Sequence, residues 1–184
     1  MKQSASTGDL LIAEPFMQDA NFKRKVILLS EVHENGAVGF ILNKPIPLPF
    51  NDLVEGFDEF NPTVYLGGPV QHDTLHYIHS KGDLIAESKE ITTGLFWGGN
   101  FEQIKTLINQ QLISQKDIKF FLGYSGWDSG QLNEEVEDNA WVITNAKSEF
   151  VMEQDTENLW RDCLIDLGGE FANMANYPEN PQLN

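Results

Sequence analysis

Val26-Ile27-Leu28-Leu29-Ser30-Glu31-Val32-His33-Glu34-Asn35-Gly36-Ala37-Val38-Gly39-Phe40-Ile41-Leu42 places two apolar runs on either side of the turn signal Glu34-Asn35-Gly36. Runs of this kind bounded by a turn dipeptide read as paired strands. The stretch predicts an antiparallel hairpin, with Asn35-Gly36 supplying the positive φ that tight hairpin turns require. Upstream, Leu10 to Ala13 reads as a further strand. Lys23, Arg24 and Lys25 form the densest basic cluster, expected on a solvated strand face with Arg24 opposite the two lysines.

Downstream, Lys44-Pro45-Ile46-Pro47-Leu48-Pro49 lacks backbone donors at three positions and is expected as an extended connector. Asn51 is placed to cap a short helix through Phe57. Val64 to Leu66 and Thr74 to Ile78 read as strands, with Leu84 to Ala86 and Leu95 to Trp97 as shorter candidates. Asn100, followed by Gln103 and by apolar residues at helical spacing, predicts the best helix in the chain. Ile118 to Leu122 reads as a buried strand ending at Gly123. A short helix over Gln131 to Glu137, a strand over Trp141 to Thr144 and a helix over Thr156 to Leu167 follow, the last stopped by Gly168-Gly169.

Strands outnumber helices and come in runs, which predicts an α+β fold over a doubly wound sheet. Residues 1–184 are expected to form a single domain, with 1–7 and 176–184 as loose ends. Gly8-Asp9-Leu10-Leu11-Ile12-Ala13 has an echo in Gly82-Asp83-Leu84-Ile85-Ala86, a hint of internal duplication.

Composition narrows the function classes. The chain has 184 residues, 41% apolar and 22% charged, which suits one globular core. Its 12 Lys and Arg against 28 Asp and Glu give a net charge of −16, a field that repels phosphate backbones and anionic membranes. Direct nucleic-acid binding is disfavoured. Cys163 is the one cysteine, so no intramolecular disulfide forms, and no apolar stretch is long enough to span a bilayer. The expected location is the cytoplasm.

Gly8 to Ala13, Phe22 to Leu29 with His33, Gly36 to Pro45, Gly67-Gly68-Pro69-Val70 and Gly123-Tyr124-Ser125-Gly126-Trp127 occur in order across almost the whole chain. Together they resemble the AlgH/YqgE family of bacterial proteins. The resemblance implies a coiled, bifurcated mixed β-sheet with packed helices in the cytosol. It brings no catalytic residues to transfer, and its label of transcriptional regulator comes through an association with alginate production. The chain departs from the family pattern at Asp128-Ser129, where small residues are more usual, and in lacking an arginine before Leu75.

Several chemistry-bearing residues also have structural readings. Ser125 resembles a nucleophile elbow, but Trp127 stands where the closing glycine belongs, so a structural turn is the favoured reading. His72, His76 and His79 suggest a metal site, yet strand parity separates His76 from His79. Neither a metal nor a cofactor is expected. Gly98-Gly99-Asn100 at a helix start offers amides to an anion but lacks either phosphate-loop spacing. Cys163 lies on an apolar stripe, where its pKa is expected to rise. Glu134, Glu135, Glu137 and Asp138 read as a solvated face.

Two functions follow. The first is a non-enzymatic regulatory or interaction module working through a protein partner. The second is a small-molecule or anion-binding protein, or an enzyme. Its cleft would be formed by Gly67, Gly68 and Pro69, by Gly98, Gly99 and Asn100, and by Gly123, Tyr124, Ser125, Gly126 and Trp127.

Overall fold

The computed structural model describes residues 4–57 and 59–179. The strands are β1 (Asp9–Ala13), β2 (Val26–His33), β3 (Gly36–Ile41), β4 (Pro45–Ile46), β5 (Val64–Leu66), β6 (Val70–His79), β7 (Lys89–Thr92), β8 (Leu95–Trp97), β9 (Ile118–Asp128) and β10 (Trp141–Asn145). The helices are α1 (Phe101–Asn109), α2 (Gln131–Glu137), α3 (Ser148–Val151), α4 (Leu159–Leu167) and α5 (Gly169–Met174). The fold is α+β, built on one mixed sheet of order β10-β1-β2-β3-β9-β6-β8-β7, with β4 and β5 branching from it.

The hairpin forms as expected, though its turn shifts by one residue. His33 pairs with Gly36, so Glu34-Asn35 is the loop, and the positive φ falls on Gly36 at 141°. The proline connector contributes only the two residues of β4, which pair with β5 at the sheet's margin. Phe50–Asp52 is a single 3-10 turn in place of the helix expected to run on to Phe57.

The sheet forks at β9. Over Ile118 to Leu122 this strand lies between β6, antiparallel, and β5, parallel. Over Ser125 to Asp128 it pairs instead with β3. Gly123, expected to end the strand, sits inside it at φ 66°. There it inverts the pleat: Phe121 and Tyr124, three residues apart, face the same apolar cluster. A glycine within a strand commonly marks such a bulge.

Three apolar clusters follow from this curl. The inner face gathers Leu10, Ile12, Leu28, Phe40 and Phe121, plugged by Leu159, Trp160, Cys163 and Leu164 of α4. Outside the β10-β1-β2-β3 arm, Leu11, Ile27, Ile41, Trp127 and Trp141 pack with Leu132 of α2. Outside the other arm, Phe50, Phe57, Phe60 and Phe120 pack with Ile104 and Ile108 of α1. Both faces of β1 are covered, so all five of its residues are buried and it shows no alternation. Lys89 of β7 reaches Glu31 of β2 at 2.7 Å, joining the two arms across the curl.

Several local expectations change. Leu84 to Ala86 is a turn, so the echo between Gly8–Ala13 and Gly82–Ala86 is one of sequence and not of structure. Lys23 to Lys25 is also a turn, with Arg24 at φ 53°, not a strand. The helix begins at Leu159, not Thr156, and Gly168 is followed at once by α5. Of the ends expected to be loose, 1–3 and 180–184 lie outside the described residues. Ala5 is buried, the Thr7 hydroxyl accepts from Val32 N–H, and the Tyr177 carbonyl accepts from Arg24.

At the fork, backbone meets backbone. A Cβ on Gly68 would stand 2.2 Å from the carbonyl carbon and oxygen of Tyr124. Gly68→Ala is therefore expected to cost at least about 3 kcal/mol, measured by urea denaturation; a loss below 1 kcal/mol, on the scale of an ordinary surface substitution, would show that the fork can open.

Candidate functional site

The structure brings two of the three sequence-nominated groups together. Gly67 N–H donates to the Leu122 carbonyl, and its own carbonyl accepts from Ile41 N–H at 2.8 Å and from the Ser125 hydroxyl at 3.0 Å. Gly67-Gly68-Pro69 thus lies directly on Gly123 to Trp127, sealed by backbone contact. Ser125 is fully buried in the middle of β9, paired with Gly39, and its proton is committed to a carbonyl. It is a strut of the fork and not the turn expected.

Gly98-Gly99-Asn100 stands apart, bonded to the far end of β6. Gly98 N–H donates to the Tyr77 carbonyl, and the Gly99 carbonyl accepts from the Tyr77 hydroxyl at 2.6 Å. Asn100 caps α1 as expected, accepting from Gln103 N–H at 3.0 Å, while its own N–H donates to Ala86. Gln103 does not return the cap: its side chain accepts from Ala86 N–H.

The histidines separate as strand parity requires. His76 packs among Phe40, Trp97 and Tyr124, while His79 stacks on Phe96. Burial lowers the pKa of both. Among the described residues no group of three His, Cys, Asp or Glu is placed to hold a metal. His79 also meets Ser88, at 3.1 Å from Nε2, which superficially resembles a catalytic pair. Its Nδ1 accepts from Lys81 N–H, so Nε2 carries the proton and donates to the Gly98 carbonyl. The Ser88 hydroxyl donates to Ile85, so neither atom is poised for nucleophilic attack. Cys163 is buried, its thiol pushed up to about 12 by desolvation and then by Asp162 and Asp166.

Lys119 has no local sequence signal that marks its role. Its side chain is almost fully buried on β9, donating to the carbonyls of Glu153 at 2.7 Å and Val151 at 3.4 Å, with the Tyr65 ring 4.2 Å away. Desolvation lowers its pKa to about 7. It ties the segment after α3 to the sheet.

Concavities border several of these elements. Tyr124, Gly126 and Trp127 help line a hollow of about 340 Å³ at the tip of the β2–β3 hairpin. A second, of about 550 Å³, runs beside β10 and is lined by Phe16, Trp141, Val142, Ile143, Phe171 and Tyr177, among others. Among the described residues, β1 is the one strand neighbour of β10. Glu14 N–H donates to the Ala140 carbonyl and Ala146 N–H to the Gly8 carbonyl. In this register Ala140, Val142, Thr144 and Ala146 bond toward β1, and the backbone groups of Trp141, Ile143 and Asn145 point away from it. Phe16 and Tyr177, both exposed, stack beside this edge with ring centres 5.6 Å apart.

Glu135, expected on a solvated face, fixes α2 beneath this groove. One carboxylate oxygen accepts from the indole N–H of both Trp127, at 2.9 Å, and Trp141, at 2.7 Å. The other accepts from Gln131.

A curled, forked mixed sheet with packed helices and an open strand edge defines a class of α+β protein, and no described helix is long and apolar enough to cross a bilayer. The AlgH-like family model matches residues 10–172, and the chain belongs to that family. It is 44% identical to a UPF0301 protein of Chlorobaculum tepidum, covering 96% of this chain and 95% of that one. It is 39% identical to a UPF0301 protein of Cytophaga hutchinsonii, covering 96% and 98%. The solution structure of the AlgH protein of Pseudomonas aeruginosa superposes with a TM-score of 0.72 at 30% identity, over 97% of this chain and 98% of that one. A crystal structure from Corynebacterium diphtheriae shares the fold at TM-score 0.81 and 21% identity, over 96% and 95%.

Glu135→Ala is expected to leave two buried indole donors without an acceptor, costing about 2 to 5 kcal/mol; chemical denaturation followed by tryptophan emission measures it. For Lys119, the folded pKa of about 7 lies below the ordinary 10.5. Between those values the unfolded chain holds a proton that the folded chain does not, so stability rises with pH, by up to about 1.4 kcal/mol per unit. Lys119→Met is expected to remove that rise between pH 7 and 9.5, and equal slopes in the two proteins would contradict the assignment.

Proposed function

We propose that this protein is a non-enzymatic interaction module that takes an extended segment of a protein partner along the outer edge of β10. The observation that carries this reading is the outward-facing backbone of Trp141, Ile143 and Asn145 beside an apolar groove. A strand added there gains main-chain hydrogen bonds from the edge and specificity from alternate side-chain pockets. Aromatic side chains at the rim supply the contact area typical of binding hot spots.

Charge selects the occupant. Glu14 and Glu170 line the groove, and no lysine or arginine does. The partner segment is therefore one in which cationic and apolar side chains alternate. A second copy of this chain fits poorly, because pairing two β10 edges would bring two such acidic rims together on chains of −16 each. Regulation by this route acts through the partner and in the cytoplasm, in keeping with a surface charge that disfavours nucleic acid.

Selection from a displayed library of ten-residue peptides is expected to enrich alternating apolar and Lys or Arg residues. Ile143→Pro is expected to preserve the fold, since the N–H it removes faces away from β1, and to abolish binding of the enriched peptides. Glu170→Lys is expected to weaken it. Enrichment of acidic peptides, binding indifferent to Ile143→Pro, or a stable dimer that Ile143→Pro dissolves would each overturn the reading.

A further inference from the structure

A polar cavity of about 670 Å³ lies beside the first turn of α4, lined among others by the Lys23 to Lys25 turn and by residues 154–158, 160 and 161. It gathers Lys23, Arg24, Lys25 and Arg161, four of the twelve cationic side chains of a strongly acidic protein. Its volume is that of a small-molecule site.

The turn that carries these cations is built and held. Asn43 is buried, accepting from Val26 N–H at 2.9 Å and donating to the Arg24 carbonyl at 3.0 Å. That clamp holds Arg24 at φ 53°, a left-handed conformation costly for a residue with a Cβ and common at ligand clamps. The Arg24 guanidinium is laid over the Trp160 ring at 4.4 Å and donates to the Tyr177 carbonyl at 2.6 Å, while its Nε is buried without a partner. Burial, and then the neighbouring Lys44 ammonium, hold Lys25 below the ordinary lysine range. Cations crowded against one another in this way favour a bound anion, and Lys and Arg together suit a phosphate.

Carboxylates share the cavity. Asp155 and Glu157 line it from the 154–161 segment, and Glu179 stands 3.3 Å from Lys23. A simple anion gains nothing from Asp155 and Glu157, whereas sugar hydroxyls are commonly bound by such groups. We propose that this cavity binds a sugar phosphate, with the phosphate on Lys23, Arg24 and Lys25 and the hydroxyls on Asp155 and Glu157. The phosphate displaces Glu179 from Lys23. The proposal is independent of the β10 groove.

The test is calorimetric titration of the full chain with ribose 5-phosphate, inorganic phosphate and ribose. Ribose 5-phosphate is expected to bind, inorganic phosphate to bind about tenfold more weakly for want of the hydroxyl contacts, and ribose not to bind. The double variant Lys23→Gln, Lys25→Gln leaves the Arg24–Trp160 stack in place and is expected to weaken ribose 5-phosphate binding about tenfold or more, with an unchanged circular dichroism spectrum. Asp155→Asn is expected to weaken ribose 5-phosphate but not inorganic phosphate, and Glu179→Gln to tighten both. No binding of ribose 5-phosphate at millimolar concentration, equal affinity for inorganic phosphate, or a double variant that binds as the wild type does would overturn it.

Discussion

The structure depends on one change of partner. β9 exchanges β5 for β3 as it passes Gly123, and the exchange is held by the Gly67 carbonyl, which accepts from both Ile41 N–H and the Ser125 hydroxyl. A carbonyl has two lone pairs, and here one accepts from β3 and the other from the stretch of β9 that pairs with β3. Left unbonded in a fully packed fork, such a group would lose the full cost of its desolvation. The fork therefore has little freedom to open, and it is the point from which both arms take their direction.

From that point the apolar clusters follow. Because Gly123 inverts the pleat, the residues before it send Phe120 outward and Phe121 inward, while those after it send Tyr124 inward and Trp127 outward. Two outer clusters and one inner cluster result, each closed by a different helix. The glycine-rich motifs near the fork are thus conditions of close backbone approach. The groove beside β10 and the cationic cavity lie away from the fork, where the sheet has an unpaired edge and where a turn stands off from it.

Hydrogen-bonded polar side chains mark the seams between these parts. Glu135 accepts from two indoles and holds α2 against β9 and β10. Lys119 ties the segment after α3 to the sheet through two carbonyls. Asn43 clamps the Lys23 to Lys25 turn. In each, a hydrogen-bonding side chain fixes the orientation of elements that apolar contact alone, being non-directional, would leave free to slide.

Sequence by itself determined the α+β class, the central hairpin, most strands and the amphipathic α1 and α4, because periodicity and turn residues act within a few positions of the chain. It also separated His76 from His79, since alternation is a local rule. What it misread was every feature set by distant partners. Gly123 reads as a strand end, but Val70 and Gly68 across the fork make it a bulge. Lys23 to Lys25 reads as a strand, but Asn43 bends it. Glu135 reads as solvated, but the indoles of Trp127 and Trp141 both donate to it. Which edge stays open and which cations converge were decided by the tertiary structure alone, because both depend on where the sheet stops pairing, a sum over contacts that no local pattern records.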